Sequence, residues 1–297
     1  MAGFDLSGLL GGLLDITWQQ LIMIVIALVL IYLGIFKDYE PTLLIPIGFG
    51  CILGNLPVAA NMVGEHGLFG VLYKAGISNE LFPLLIFLGV GAMIDLRPLL
   101  SQPIMFVMGA LAHLGIFATL ILALLLGFNL AEATAIGMIG AIDGPTVIYV
   151  NGKLGDLFNT PGLAAAIAVT AYSYMSLVPI IQPPLMRLFT TKAERGIHME
   201  YTPRPVSKLT VILFPIVFTI FASIFLPEAA PLIATLMLGN LLKESEVVEG
   251  LTETAKSAIT NTATIFLGIT IGSTMQAAQF LNSGTLRVLV LGLVAFA

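Results

Sequence analysis

Four stretches of this chain are apolar for long enough to cross a lipid bilayer: Thr17–Phe36 (TWQQLIMIVIALVLIYLGIF), Ile104–Phe128, Gly162–Gln182 and Leu209–Leu226. A spanning helix needs roughly 17–25 such residues. In hydrocarbon only helices and closed barrels pair every backbone group. Runs of this length therefore predict an all-α, polytopic membrane protein. The composition agrees, since 58% of the 297 residues are hydrophobic and only 10% charged; soluble domains carry about 25% charge. Mean hydropathy is +1.03.

The first residues do not read as a cleaved leader. No basic residue precedes the first apolar run, and Asp5 and Asp15 are the first charges. Residues 1–16 are expected to be an amphipathic or loosely ordered segment. Cys51 is the one cysteine and lies in an apolar stretch, so no disulfide framework or thiolate metal site is available. Five of the twelve basic residues (Arg187, Lys192, Arg195, Arg204 and Lys208) fall in the loop Pro183–Lys208. The positive-inside rule makes that loop cytoplasmic. No other basic cluster points to nucleic acid.

Several apolar segments are broken. Pro41–Pro57 (PTLLIPIGFGCILGNLP) carries three prolines and three glycines; Leu81–Ile94 runs straight into Asp95; Ala133–Val150 is interrupted by Asp143-Gly144-Pro145. Such breaks are tolerated at membrane depth only inside protein or beside a cavity. The chain also resembles itself. CILGNLPVA (Cys51–Ala59) matches LMLGNLLKE (Leu236–Glu244), IFLGVGAM (Ile86–Met93) matches IFLGITIGSTM (Ile265–Met275), and Leu99–Ser101 matches Leu281–Ser283, at offsets of 179 to 185 residues. The constant order favours a duplication of the kind secondary transporters carry. The same offset would put the counterpart of Asp143 past Ala297, and the chain stops within the apolar run VLVLGLVAFA. A partial sequence is therefore expected.

Asp143 is the ionisable residue set deepest in an apolar run, and a charge there costs about 2.5–3.5 kcal/mol on insertion scales. Gly144-Pro145 releases backbone carbonyls from helical bonding, because proline lacks the donor. Those carbonyls, the carboxylate and the Thr146 hydroxyl are hard oxygen donors that suit Na⁺ or a proton relay. The bland alternative is a structural acid at a half-helix N-terminus. Tyr172 and Tyr174 lie among small residues in AYSYMSLVPIIQPP (Ala171–Pro184) and, two apart, cannot share one helix face. Asn55 and Asn240 recur at matched positions, as polar groups of an ion path or as helix-end caps. Asp95 and Glu132 end apolar segments. His113 is expected to be a hydrogen-bonded core residue. No Walker A loop, dinucleotide fingerprint, HExxH or Met-Lys-Met biotin-attachment site occurs.

These motifs together resemble the β subunit of the sodium-ion-translocating biotin-dependent decarboxylases, a group acting on oxaloacetate, methylmalonyl-CoA and glutaconyl-CoA. The resemblance rests on YEPTLLIPIGFG (Tyr39–Gly50), LFPLLIFLGVGAMIDLRPLL (Leu81–Leu100), IDGPTVIY (Ile142–Tyr149), AYSYMSLVPIIQPP, GNLLKESEVVEGL (Gly239–Leu251) and NTATIFLGITIGSTM (Asn261–Met275). It runs from about residue 17 to the end. It implies a multi-pass subunit of a prokaryotic inner membrane, with inverted repeats and re-entrant hairpins like those of elevator transporters. It also implies decarboxylation of carboxybiotin, held on a partner and not on this chain, coupled to Na⁺ export. The partners it implies are carboxyltransferase and biotin-carrier subunits, a small γ-type membrane subunit and further copies of the chain within a lipid bilayer.

By that resemblance Asp143 and Tyr174 are catalytic and bind Na⁺; Gly144 and Thr146, as the oxygen donors read above, are expected to join them as Na⁺ ligands. Asn55, Asp95 and Asn240 are secondary polar positions, and further site residues (Asn-Pro, Gly, Ser, Arg) are expected beyond Ala297. The domain plan expected is residues 1–16; a first helix, 17–36; a first repeat, 41–182, with its broken segment at 133–150; a basic loop, 183–208; a linking helix, 209–228; and an incomplete second repeat, 229–297. The repeat and broken helices alone would equally suit a stand-alone Na⁺-coupled carboxylate transporter. A passive anchor docking soluble subunits through the basic loop is a third reading.

Overall fold

The computed structural model describes residues 15–57, 62–64, 66–160, 162–175, 178–198 and 205–296. Met1–Leu14, Arg204 and Ala297 lie outside that set. All regular structure among the described residues is helical. In chain order the elements are α1 (Trp18–Phe36), α2 (Pro41–Gly54), α3 (Leu68–Leu72), α4 (Leu81–Met93), α5 (Arg97–Ser101), α6 (Ile104–Ala112) and α7 (Leu114–Leu125). Then come α8 (Leu130–Gly137), α9 (Gly144–Leu154), α10 (Leu163–Met175), α11 (Val178–Phe189) and α12 (Lys192–Arg195). The last are α13 (Lys208–Phe225), α14 (Ala230–Ser245), α15 (Glu249–Thr254), α16 (Thr260–Thr274), α17 (Ala277–Phe280) and α18 (Ser283–Phe296).

Among the described residues three stretches are long and apolar enough to span, α1, the α6–α7 pair and α13, and the bent pair Leu68–Ile77 with α4 would be a further one if it is a single span. The three turn most of their surface outward and form the periphery. The expected fourth span lies inward. Its helix, α10, is core along its length, with Ala166, Ile167, Thr170 and Tyr172 all buried, and a second helix, α11, begins at Val178. Small residues allow this, because Ala164–Ala166 and Ala168 let neighbours come close on several sides. Pro41–Pro57 is likewise less broken than its prolines suggest. Pro41 sits at the start of α2, where a missing N–H costs nothing, and Pro46 stays within the helix. His113 is no core residue: it stands exposed at the α6–α7 junction, its Nδ1 2.6 Å from the Gly109 carbonyl.

Two helix crossings organise the centre. In one, α2 lies on α16, and a Cβ at Gly50 or Gly272 would overlap the carbonyl oxygen of Ile269 or Ile47. In the other, α4 lies on α14, and a Cβ at Gly91 or Gly239 would overlap that of Leu236 or Leu88. Without a hydrophobic drive between helices in lipid, such backbone approach is a main source of attraction.

The ends of these helices sort into two levels. At one, Lys208 at the head of α13 pairs with Glu246 at 2.5 Å, Arg97 pairs with Glu244, and Asn240 donates to Ile94 O. From there α13 runs 18 residues, or about 27 Å at 1.5 Å per residue. At the far level Tyr149 Oη donates to Glu228 O (2.7 Å), Lys153 pairs with Glu80 (3.5 Å) and Asn55 donates to Met275 O (2.8 Å). The basic loop ends at the first level, which is called the Asn240 end below; the other is the Asn55 end.

Candidate functional site

The broken segment around Asp143 is a hairpin. Its first leg is α8 with the 3-10 turn Met138–Ala141, and its second is α9. Were the legs collinear, residues 132 and 159 would stand about 40 Å apart. Instead the Glu132 carboxylate accepts the backbone N–H of Asn159 (2.9 Å) and of Thr160 (2.8 Å) as well as that of Asn129 (3.0 Å). Asn129 returns a bond to Glu132 N at 2.8 Å, the reciprocal capping box that Asn-x-x-Glu encodes. One buried carboxylate thus clasps both legs at the Asn55 end. The tip, Ile142–Asp143, points away from it.

Pro145 dictates the turn. Its ring excludes a helical carbonyl four residues back and it offers no N–H, so the first leg cannot run on through it. The helix restarts instead, with Pro145 in the first turn of α9 and Asp143 as its N-cap. The reversal falls on Ile142, which takes a left-handed backbone (φ 55°, ψ 37°). A β-branched residue there is strained by about 1–3 kcal/mol and persists only when its surroundings impose it. The strain lies one residue from the acid.

At the tip the half-buried Asp143 carboxylate accepts the Thr146 hydroxyl. A ring lies against the next residue: a Cβ at Gly144 would fall within the Tyr172 ring, so only glycine admits it. Tyr172 is 1% exposed, and its hydroxyl has no partner among the described residues. Leaving such a hydroxyl unpaired costs about 1–3 kcal/mol, so this atom is the local misfit that a ligand would relieve. Tyr174, the tyrosine given by the resemblance, is committed elsewhere. Its hydroxyl donates to Leu289 O on α18 (2.6 Å), and its ring meets Phe296 edge-on at 5.7 Å.

The other expected polar positions do not join the tip. Asn55 Nδ2 bonds Met275 O and Cys51 O, both at 2.8 Å, and its Oδ1 takes Ala277 N at 2.9 Å. Asn240 Nδ2 reaches Ile94 O at 3.2 Å and Gly91 O at 3.5 Å. Both serve neighbouring helix ends. Asp95 is half-exposed and caps Arg97 N at 3.0 Å. No group of three or more His, Cys, Asp or Glu side chains gathers among the described residues. Neutral oxygens around one carboxylate suit an alkali cation better than a transition metal.

A family model described as the Na⁺-transporting oxaloacetate decarboxylase beta subunit matches residues 19–297. The chain belongs to this family. It is 50% identical over 285 residues to the methylmalonyl-CoA decarboxylase subunit beta of Veillonella parvula, a match covering 96% of this chain and 74% of the relative. With the glutaconyl-CoA decarboxylase subunit beta of Acidaminococcus fermentans the identity is 48%, at the same coverage. With the oxaloacetate decarboxylase beta chain of Klebsiella pneumoniae it is 40% over 345 residues, 96% of this chain and 78% of that one. Family membership makes the chain the membrane subunit of a decarboxylation-driven Na⁺ pump, one part of a multi-subunit complex. It sets aside the stand-alone carboxylate transporter.

Several features of the site escaped sequence reasoning. The left-handed Ile142 and the unpartnered Tyr172 hydroxyl depend on tertiary packing and leave no local signal. The Glu132 clasp did leave one, the Asn129-x-x-Glu132 box.

Proposed function

We propose that this subunit decarboxylates carboxybiotin presented by a partner biotin-carrier subunit and couples the step to Na⁺ export, with the hairpin tip as the coupling site. Asp143 is the charged ligand. The Thr146 and Tyr172 hydroxyls and the backbone around Ile142 and Gly144 are its neutral companions. The observation that carries this reading is the fully buried Tyr172 hydroxyl, without a partner among the described residues, on a ring packed against the glycine that follows Asp143. When the N–CO₂⁻ bond of carboxybiotin breaks, CO₂ leaves and the ureido nitrogen takes up a proton. Asp143 gives up Na⁺ as that proton passes and regains it when charged again. Moving one charge against 100 mV requires about 2.3 kcal/mol, which a modestly exergonic decarboxylation supplies.

The wider architecture enters as part of the same proposal: two inverted repeats. The sequence similarities are joined by two π-turns, Tyr73–Ile77 and Ala255–Ile259, each just ahead of a crossing helix. The matched asparagines, Asn55 and Asn240, serve opposite ends of the molecule. The basic loop makes the Asn240 end cytoplasmic in a prokaryotic inner membrane, where carboxyltransferase, carrier and γ-type subunits and further copies of the chain would assemble.

The test is Na⁺-dependent CO₂ release by the intact complex. Asp143→Asn is expected to lower it about 10²-fold or more, and Tyr172→Phe is expected to depress it further than Tyr174→Phe. Near-normal Na⁺ stimulation in Asp143→Asn would sink the assignment. The opposite tyrosine ranking would move the site to α18.

A further inference from the structure

Three polar links between the Asp143 hairpin and the rest of the chain lie together in the last two turns of α9. Tyr149 Oη donates to Glu228 O in the turn between α13 and α14 (2.7 Å), Asn151 Nδ2 donates to Ala164 O at the head of α10 (3.1 Å), and Lys153 Nζ pairs with Glu80 ahead of α4 (3.5 Å). At the tip, by contrast, the Asp143 carboxylate bonds only Thr146 of its own leg among the described residues. The Glu132 clasp joins one leg to the other. It therefore sets the shape of the hairpin and not its placement against other helices.

The Lys153 link is built from both sides. Glu80 takes a left-handed backbone (φ 63°) at the head of α4, a conformation that a non-glycine residue keeps only when its surroundings impose it. There its stem lies on α9, and a Cβ at Gly152 would come 3.1 Å from Glu80 Cγ. The Glu80 side chain is 12% exposed, so its charge has lost most of its water and gains from a cation. Lys153 supplies one from the last turn of α9, where a positive charge also complements the helix dipole. Its Nζ stands 5.7 Å from the centre of the buried Tyr149 ring, one turn back. Lysine, ring and ring hydroxyl thus make one continuous contact from Glu80 to Glu228 O, across the helix that Asp143 caps.

A helix is stiff along its axis, so holding one end places the other. Asp143 stands ten residues before Lys153, about 15 Å along α9, and small displacements of a reacting group cost activity steeply. We propose that Lys153 and Glu80 are positioning residues of the Na⁺ site: their pair holds α9 where Asp143 meets the ion beside Tyr172. The proposal rests on the coupling role given to Asp143 and adds the residues that hold it in place. An apparent dissociation constant rises by the inverse of the fraction of molecules in the competent arrangement. Losing the pair therefore raises the Na⁺ concentration required and leaves the rate at saturating Na⁺ in place. A pair partly open to solvent contributes little to folding, so the complex still assembles without it.

The test measures CO₂ release by the intact complex against Na⁺ concentration. Lys153→Ala and Glu80→Gln are each expected to raise the half-activating concentration about 5-fold, with the saturated rate within about 2-fold of the parent's. The double variant is expected to do no worse than the more affected single one, because both remove the same contact. Lys153→Arg, which keeps the charge, is expected to stay within about 2-fold of the parent. An unchanged half-activating concentration in both single variants leaves the pair a purely structural one and overturns the proposal. So does a loss of rate that saturating Na⁺ fails to restore, or effects that multiply in the double variant. Should Lys153→Ala fail to assemble, Glu80→Gln, which keeps the side-chain shape, decides. Near-normal Na⁺ stimulation in Asp143→Asn removes the coupling site itself and is read in a different variant, so the two ideas fail separately.

Discussion

The α2–α16 and α4–α14 crossings use the same means of approach and differ in how their asparagines are used. Asn55 is saturated, with donors and acceptor all placed at 2.8–2.9 Å. Asn240 makes two longer bonds, at 3.2 and 3.5 Å, and its Oδ1 has no partner among the described residues. Around Asn240 the work passes to charges: Lys243 donates to Ile94 O at 2.7 Å, and buried Glu244 holds Arg97. A fully bonded amide fixes one register. The Asn240 crossing relies instead on Glu244, which is 3% exposed and paired with Arg97, so breaking that pair would strand a buried charge. The Asn55 crossing is thus held by neutral hydrogen bonds and the Asn240 crossing by charge.

The largest effect should come where the crossings are alike. Gly272→Val and Gly91→Val each force a side chain into a facing carbonyl, at more than about 3 kcal/mol. Both are expected to abolish recovery of monodisperse, assembled complex. Tolerance at one site alone would show that the two backbones do not approach equally. The asparagines come next. Asn55→Ala leaves the Met275 carbonyl and the Ala277 N–H unmet and should cost about 2 kcal/mol, whereas Asn240→Ala should cost under about 1 kcal/mol. Thermal unfolding in detergent measures both, and equal losses would erase the contrast. The smallest effect belongs to Lys208→Ala at the charged rim. Its pair with Glu246 is well exposed, so Tm should move by less than about 2 °C. The Lys208 hydrogen bond and charge hold Glu246 below the usual carboxylate range. A depressed acid contributes above its ordinary value and loses that contribution as pH falls through the lowered one. The difference between Lys208→Ala and the parent should therefore vanish in acid and persist at neutral pH.

Much of this arrangement was legible in residues alone. Apolar length gave the spans α1, α6–α7 and α13, and Asp143-Gly144-Pro145 marked the break. Composition alone does not say which span lies inside the protein. Gly162–Gln182 is apolar enough for lipid, yet its alanines bury α10 in protein, and hydropathy does not separate those two surroundings. His113 fails for the opposite reason: a ring bonded to its own helix at Gly109 needs no core. Which of Tyr172 and Tyr174 lies against Gly144 and which against Gly292 turns on one helix rotation that residues alone do not show. The hairpin sense was beyond the sequence too, because a broken span and a returning loop share one hydropathy trace. The Glu132 contacts with Asn159 and Thr160 tell them apart.

That clasp carries a bookkeeping consequence for topology. A segment whose two legs leave from the same level contributes no net crossing, so the parity of the chain is blind to it. The helices before Asn129 and after Thr160 would keep their orientation if the hairpin were lengthened, shortened or reshaped at its tip. The part of the molecule that bears Asp143 is therefore the part whose length can vary without turning any other helix around.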